Sequence, residues 1–131
     1  MPGVVLAICR PDWPVTCVDA AAKKASFIRQ VAAELTLSNL TAVHARVEAM
    51  PGKARSFDLV ISRAFSSLAD LVKLTESRLA PGGVWLAMKG KTPAKEQSDL
   101  PPDVEVFHVE PLQVPCLDAD RCLVWMRRRP A

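Results

Sequence analysis

Ionic residues stand immediately after segments that read as β-strands. Asp19 follows Val15–Val18, the group Ala45-Arg46-Val47-Glu48 follows Thr41–His44, Arg63 follows Phe57–Ser62, and Lys89-Gly90 follows Val84–Met88. In open α/β sheets ligands bind at the carboxyl ends of strands, so chemistry is expected at these positions. A carboxylate that closes a strand can accept hydrogen bonds from both hydroxyls of a ribose, which makes Asp19 a candidate nucleoside ligand. It could equally cap the helix that follows, since Asp is favoured at an N-cap. Arg46, Arg63 and Lys89 each follow a different strand and together make a rim suited to an anion or a nucleic-acid backbone. Taken singly, each reads as a surface charge, and Glu48 could pair with either arginine.

Several chemistries find no residues. There is no G-x-S-x-G elbow, no Walker loop and no H-E-x-x-H. His44 and His108 lie in strand-like segments without a catalytic partner and read as packing or surface histidines. Cys9, Cys17, Cys116 and Cys122 form no C-x-x-C pair and match no zinc spacing. No metal is expected, and free buried thiols in a reducing cytoplasm are the plainest account.

These residues need elements to hold them. Residues 22–36 read as a helix, with Phe27, Ile28, Val31, Ala32 and Leu35 at helical spacing. Phe57–Ser62 is almost continuously apolar after Asp58, as suits a parallel strand covered on both faces. Ser66 or Ser67 can cap the next helix, with Asp70 completing a capping box. Leu68, Leu71, Val72 and Leu79 supply its buried stripe, and Pro81-Gly82-Gly83 is expected to stop it. Val84–Met88 is a further strand, and residues 93–98 a short helix or turn. Val104–Val109 and Cys122–Met126 are the last strands and are expected to pair antiparallel. The alternation predicts an α/β fold, a three-layer sheet with an antiparallel last strand, in one domain over residues 1–131.

The chain has 131 residues, half of them apolar and 24% charged, with a net charge of +3. That suffices for a core, and the mild basic bias suits an RNA partner without proving one. The basic stretch Arg127-Arg128-Arg129 supplies much of it. The longest apolar run, Val4–Cys9, is far too short to span a membrane.

Phe57-Asp58-Leu59-Val60 and Leu79-Ala80-Pro81-Gly82-Gly83-Val84 are similar to segments of Rossmann-like class I methyltransferases. The finer resemblance runs along the whole chain. It is carried by Pro2-Gly3 with Leu6-Ala7-Ile8 and Arg10-Pro11, by Asp19 with Lys23-Lys24 and Phe27-Ile28-Arg29-Gln30-Val31, and by Arg46-Val47-Glu48. It continues through Ile61-Ser62-Arg63-Ala64-Phe65, Met88-Lys89-Gly90, Leu112-Gln113-Val114-Pro115 and Asp120-Arg121. This set resembles the small-subunit ribosomal RNA (guanine-N7) methyltransferase G family, also called glucose-inhibited division protein B.

The resemblance implies S-adenosylmethionine as cofactor and small-subunit ribosomal RNA, or the assembling small subunit, as partner. It also implies methylation of guanine N7 in the cytoplasm, with neither metal nor membrane. It places Met1, Gly3, Asp19, Val47, Glu48 and Arg63 near the cofactor, and makes Arg46, Arg63, Lys89 and Arg121 the basic residues facing RNA or shaping the active site. The family has a strand and a glycine-rich loop before the segment matching Pro2-Gly3, and this sequence begins after them. The chain is therefore expected to lack the first, central strand, between those ending at Asp19 and Ser62, and to be inert and poorly stable alone. The competing readings are a small-molecule methyltransferase of the same fold and a non-catalytic α/β module that binds RNA or protein.

Overall fold

The computed structural model describes residues 2–49, 52, 55–63, 67–90, 94–112 and 121–130. The chain divides into two units, Met1–Gly52 and Lys53–Ala131, each taken by itself below.

In the first unit, helix α1 (Pro2–Cys9), strand β1 (Val15–Asp19), helix α2 (Ala22–Glu34) and strand β2 (Leu40–His44) follow one another, and a single 3₁₀ turn spans Val47–Ala49. Pro2 opens α1, where its missing N–H is no loss and its fixed φ suits a helix. β1 and β2 pair in parallel from Val15↔Leu40 to Asp19↔His44, so their carboxyl ends are level. Ala7, Ile28 and Leu40 form the core, with Val4, Val15, Cys17, Ala32, Leu37 and Ala42 packed against it. Gly3 lets α1 lie close on β1, because a Cβ there would overlap Cys17 Sγ. The far end of α1 is held by Asn39, whose side-chain amide donates to the carbonyls of Ala7 (3.1 Å), Arg10 (3.1 Å) and Trp13 (2.9 Å).

α2 ends in a Schellman motif. Leu37 N–H donates to Ala32 O and Thr36 N–H to Ala33 O, with Thr36 left-handed at φ 54°. The buried side of α2 is Ala25 and Ile28, with Val31 and Ala32 half-buried. Phe27 and Leu35, expected on the buried stripe, are 56% and 54% exposed. A helix on a two-stranded sheet presses only a narrow stripe against it, and the sequence pattern is wider than that stripe.

The second unit contains β3 (Phe57–Arg63), α3 (Leu68–Thr75), β4 (Leu79–Lys89), α4 (Ala94–Ser98), β5 (Val104–Leu112) and β6 (Arg121–Arg128). Its four strands lie in the order β3-β4-β6-β5. β3 and β4 are parallel, and β6 is antiparallel to both its neighbours, as expected for the last pair. Leu68, Leu71, Val72, Leu79, Trp85, Ala87, Val104, Cys122, Val124 and Met126 make one buried core. Its polar groups are answered within it: Trp85 Nε1 donates to Thr75 Oγ1 at 2.9 Å, and that hydroxyl donates to Leu71 O. Arg128 donates to the carbonyls of Glu76, Leu79 and Ala80, which fastens the turn between α3 and β4.

Ser67 caps α3 as expected, its hydroxyl accepting Asp70 N–H at 3.1 Å; Ser66 lies outside the described residues. The end of α3 differs from the expectation. The helix stops at Thr75, and Leu79 is the first residue of β4, opposite Phe57. Pro81-Gly82-Gly83 is an irregularity inside that strand rather than a helix stop. β3 advances from Phe57 to Leu59 while β4 advances from Leu79 to Val84. Gly82 takes φ 78° there, and Pro, lacking an N–H, is tolerated where the ladder is interrupted.

The α/β class expected from the sequence is the one observed. The described strands lie in two ladders rather than one continuous sheet, because β1 hydrogen-bonds β2 while β3 hydrogen-bonds β4.

Candidate functional site

In the first unit the site is the end of β1. Asp19 is half-buried there, and its Oδ1 accepts Ala21 N–H at 2.8 Å. The N-cap of α2 is Ala21, which has no side-chain cap bond. Asp19 thus shapes the turn into α2 from two residues before the cap position, and does not cap the helix itself. Its Oδ2 has no partner among the described residues. The turn is pinned from β2 as well: Ala45 N–H donates to Asp19 O at 3.0 Å, and His44 Nε2 lies 3.0 Å from Ala20 O. His44, read from the sequence as a packing or surface residue, is exposed and holds the loop that carries Asp19. Its pairing with Asp19 across the ladder is a register fact that the sequence does not print.

Arg46, Val47 and Glu48 follow β2. Arg46 and Glu48 face each other at 3.9 Å, with side chains 79% and 43% exposed. So open a pair contributes little to stability. Val47 is half-buried and starts the 3₁₀ turn, which Ala49 N–H closes on Arg46 O. Gly3 lies on α1 against Cys17, where its visible role is close packing. Burial pushes the Cys17 thiol pKa up, which makes it a poor nucleophile. Cys9, expected to be buried, is exposed, because it ends α1 on the side away from Ala7. Met1, Ala64, Phe65, Cys116 and the segment Gln113 to Asp120 lie outside the described residues.

In the second unit the ladders bring three of the expected cations to one sheet edge. Arg63 closes β3 opposite Met88, Lys89 closes β4 opposite Cys122, and Arg121 opens β6 opposite Leu112. Side chains alternate across a pleated sheet. Arg63 and Arg121 therefore share one face, and Lys89 is on the other, with Trp85, Ala87 and Cys122 of the core. The environments differ accordingly. Arg63 and Arg121 are exposed, and Arg63 has no ionic or hydrogen-bond partner among the described residues. The Lys89 ammonium lies 2.9 Å from Glu96 Oε1, the two side chains only 14% and 19% exposed. The same Glu96 oxygen accepts Leu68 N–H at 3.2 Å. Glu96 was not singled out from the sequence. A lone glutamate in a five-residue helix gives no signal of a partner in another strand.

Among the described residues no helix is long and apolar enough to cross a membrane, and no group of three His, Cys, Asp or Glu side chains could hold a metal.

Known proteins with this fold do varied chemistry. The chain superposes on TrmN from Thermus thermophilus with a TM-score of 0.74 at 20% identity, covering 96% of this chain and 40% of that one. For a geranyl diphosphate C-methyltransferase from Streptomyces coelicolor the values are 0.71 and 13%, covering 95% and 66%. For the [4+2]-cyclase SpnF they are 0.70 and 11%, covering 96% and 72%. Such likeness fixes the Rossmann-like class I methyltransferase fold and leaves the substrate open. Sequence is more selective. The family model for GidB, rRNA small subunit methyltransferase G, matches residues 1–124. The "Ribosomal RNA small subunit methyltransferase G" of Methylibium petroleiphilum is 58% identical over 129 residues, covering 98% of this chain and 58% of that protein. The protein of the same name from Polaromonas sp. strain JS666 is 59% identical over 131 residues, covering all of this chain and 57% of that protein. The chain thus spans somewhat more than half the length of these relatives.

Proposed function

The chain belongs to the rRNA small subunit methyltransferase G family, and from that premise we propose that it carries out, within a cytoplasmic enzyme, the transfer of a methyl group from S-adenosylmethionine to N7 of a guanine in small-subunit ribosomal RNA. The observation that carries the proposal is the family match over residues 1–124.

The residues present fit the cofactor. Asp19 ends β1 with one carboxylate oxygen engaged by Ala21 N–H and the other without a partner among the described residues, an acceptor suited to ribose hydroxyls. Val47 and Glu48, just past the level end of β2, are assigned to the adenine side. S-adenosylmethionine would supply an activated methyl on its sulfonium. Guanine N7 has a lone pair and no proton, so this chain needs no general base. What remains for its side chains is alignment. Arg63 and Arg121, exposed on one face of the sheet edge, are assigned to RNA phosphates, as is Arg46 in the first unit; such contacts give affinity without reading sequence.

The test grafts residues 1–131 in place of the matching segment of the Polaromonas relative and supplies labelled cofactor with unmodified small ribosomal subunits. Label at guanine N7 is expected from the graft, and none from the chain alone. In the graft, Asp19→Ala should weaken cofactor binding by about 1.5–3 kcal/mol, the scale of hydrogen bonds to a charged group. A graft that leaves N7 unlabelled, or unchanged cofactor affinity in the variant, overturns the reading.

A further inference from the structure

The cations at the edge of the four-stranded sheet are not equivalent. Arg63 and Arg121 stand exposed on one face, whereas Lys89 is turned to the other and mostly buried against Glu96. Glu96 Oε1 receives two donors from different elements, the Lys89 ammonium at 2.9 Å from the end of β4 and Leu68 N–H at 3.2 Å from the first turn of α3. A charge taken this far out of water persists only with partners of this kind, and leaving either one unpaired is costly. The carboxylate also lies at the positive end of α3, where an anion is favoured, beside the cap that Ser67 gives Asp70. One oxygen therefore ties together α4, the end of β4 and the start of α3. The last two are the elements that border a strand-end site in a fold of this class.

We propose that Glu96 is a positioning residue for methyl transfer. It holds the end of β4 and the start of α3 at a fixed separation through Lys89 and Leu68, so that Lys89 acts as part of this bracket and not as a grip on RNA phosphate. The inference rests on the reading above that this strand-end edge serves the reaction. It predicts a sign that a phosphate-gripping lysine would reverse. Glu96→Gln keeps an acceptor for Leu68 N–H but discharges the pair and leaves an extra uncompensated cation. If Lys89 gripped RNA, releasing it would tighten RNA binding and leave turnover unharmed. If Lys89 belongs to the bracket, turnover falls although RNA is held no less well.

Two measurements decide. In the graft described above, Glu96→Gln should lower kcat about tenfold while KM for the small subunit rises less than about twofold, the pattern of lost alignment rather than lost binding. Glu96→Asp, which keeps the charge, should recover kcat to within about threefold of the original. In the 131-residue chain alone, competitive acetylation read by mass spectrometry should find Lys89 about tenfold slower than the exposed Lys23 and Lys24, and Glu96→Gln should abolish the difference. A kcat within twofold of the original, a rise in KM alone, or a loss that Glu96→Asp does not repair overturns the positioning role. So does a Lys89 that reacts like Lys23 in the unaltered chain. If the graft transfers no methyl to any RNA, the proposed function fails by itself, and the acetylation pattern still decides whether Glu96 restrains Lys89.

Discussion

The two units solve the same problem, fastening helices to parallel strands, with very different resources. Residues 53–131 bury an indole, several leucines and a methionine in a four-stranded sheet, and answer the Trp85 N–H with Thr75, while the Trp125 N–H is buried without a partner among the described residues. Residues 1–52 centre on Ala7, Ile28 and Leu40 beneath two five-residue strands. They leave Val5, Ile8, Phe27 and Leu35 about half exposed. A two-stranded sheet is marginal by itself, so the first unit depends on close approach and on caps where the second depends on bulk. The candidate ribose ligand, Asp19, is thus carried by the more lightly built unit, and the cationic edge by the more heavily built one.

The comparison is tested hardest at Trp85. This side chain is fully buried, donates to Thr75 and lies under the Arg128 guanidinium, 5.4 Å from its ring centre. Trp85→Ala should cost about 3–5 kcal/mol, from the cavity and the orphaned hydroxyl partner together. Chemical denaturation followed by the fluorescence of the remaining Trp13 and Trp125, with amide exchange read separately in each unit, provides the measurement. If the second unit loses protection by less than about 2 kcal/mol, its core is not what stabilises it.

An intermediate effect is expected where the first unit substitutes contact for bulk. Gly3→Ala places a methyl on Cys17 Sγ, and overpacking of that kind costs about 1–3 kcal/mol. Cys17→Ala should relieve most of the penalty in the double variant, because the two sites touch and their effects are not additive. Additive losses would show that α1 has room to move off β1, and that the first unit is looser than its contacts suggest.

These contrasts mark what the sequence discloses. Strand ends were legible: Asp19 closes β1, and Arg63 and Lys89 close β3 and β4. So was Ser67, because a cap is a local bond between residues three apart. Pro81-Gly82-Gly83 misled, since a helix stop and a strand irregularity use the same residue types for the same conformational reasons. Lys89 could be placed at its strand end but not on a face, because the face depends on register with β6. Glu96 was silent for the same reason, its partners being a strand end and a helix start that only the fold brings together. At the edge of the four-stranded sheet the cations showed in the sequence and the carboxylate that restrains Lys89 did not, whereas the Arg46–Glu48 pair was among the pairings the sequence offered.

The smallest effect compares the left-handed positions. Both units mix glycine and non-glycine there, with Gly52 and Thr36 in the first and Arg55 and Gly82 in the second; the pair compared is Thr36 at φ 54°, which ends α2, and Gly82 at φ 78°, inside β4. A β-branched side chain in that region crowds its own backbone at a cost of about 1–2 kcal/mol. The cost is borne because the Schellman bonds of Thr36 and Leu37 close the helix and set Leu37 against Ala32 in the small core. Thr36→Gly removes the crowding but frees the unfolded chain, which returns about 0.4–1 kcal/mol. The net expectation is a gain of roughly 0.5 kcal/mol, or about 2 °C in Tm at this chain length. Gly82→Thr, the reciprocal change, adds the same strain and regains only that same entropy, and should lose roughly 0.5 kcal/mol. Opposite signs for the two substitutions would confirm that the first unit tolerates a strained cap to hold its helix. A loss in both would mean that the Thr36 side chain makes contacts worth more than its strain.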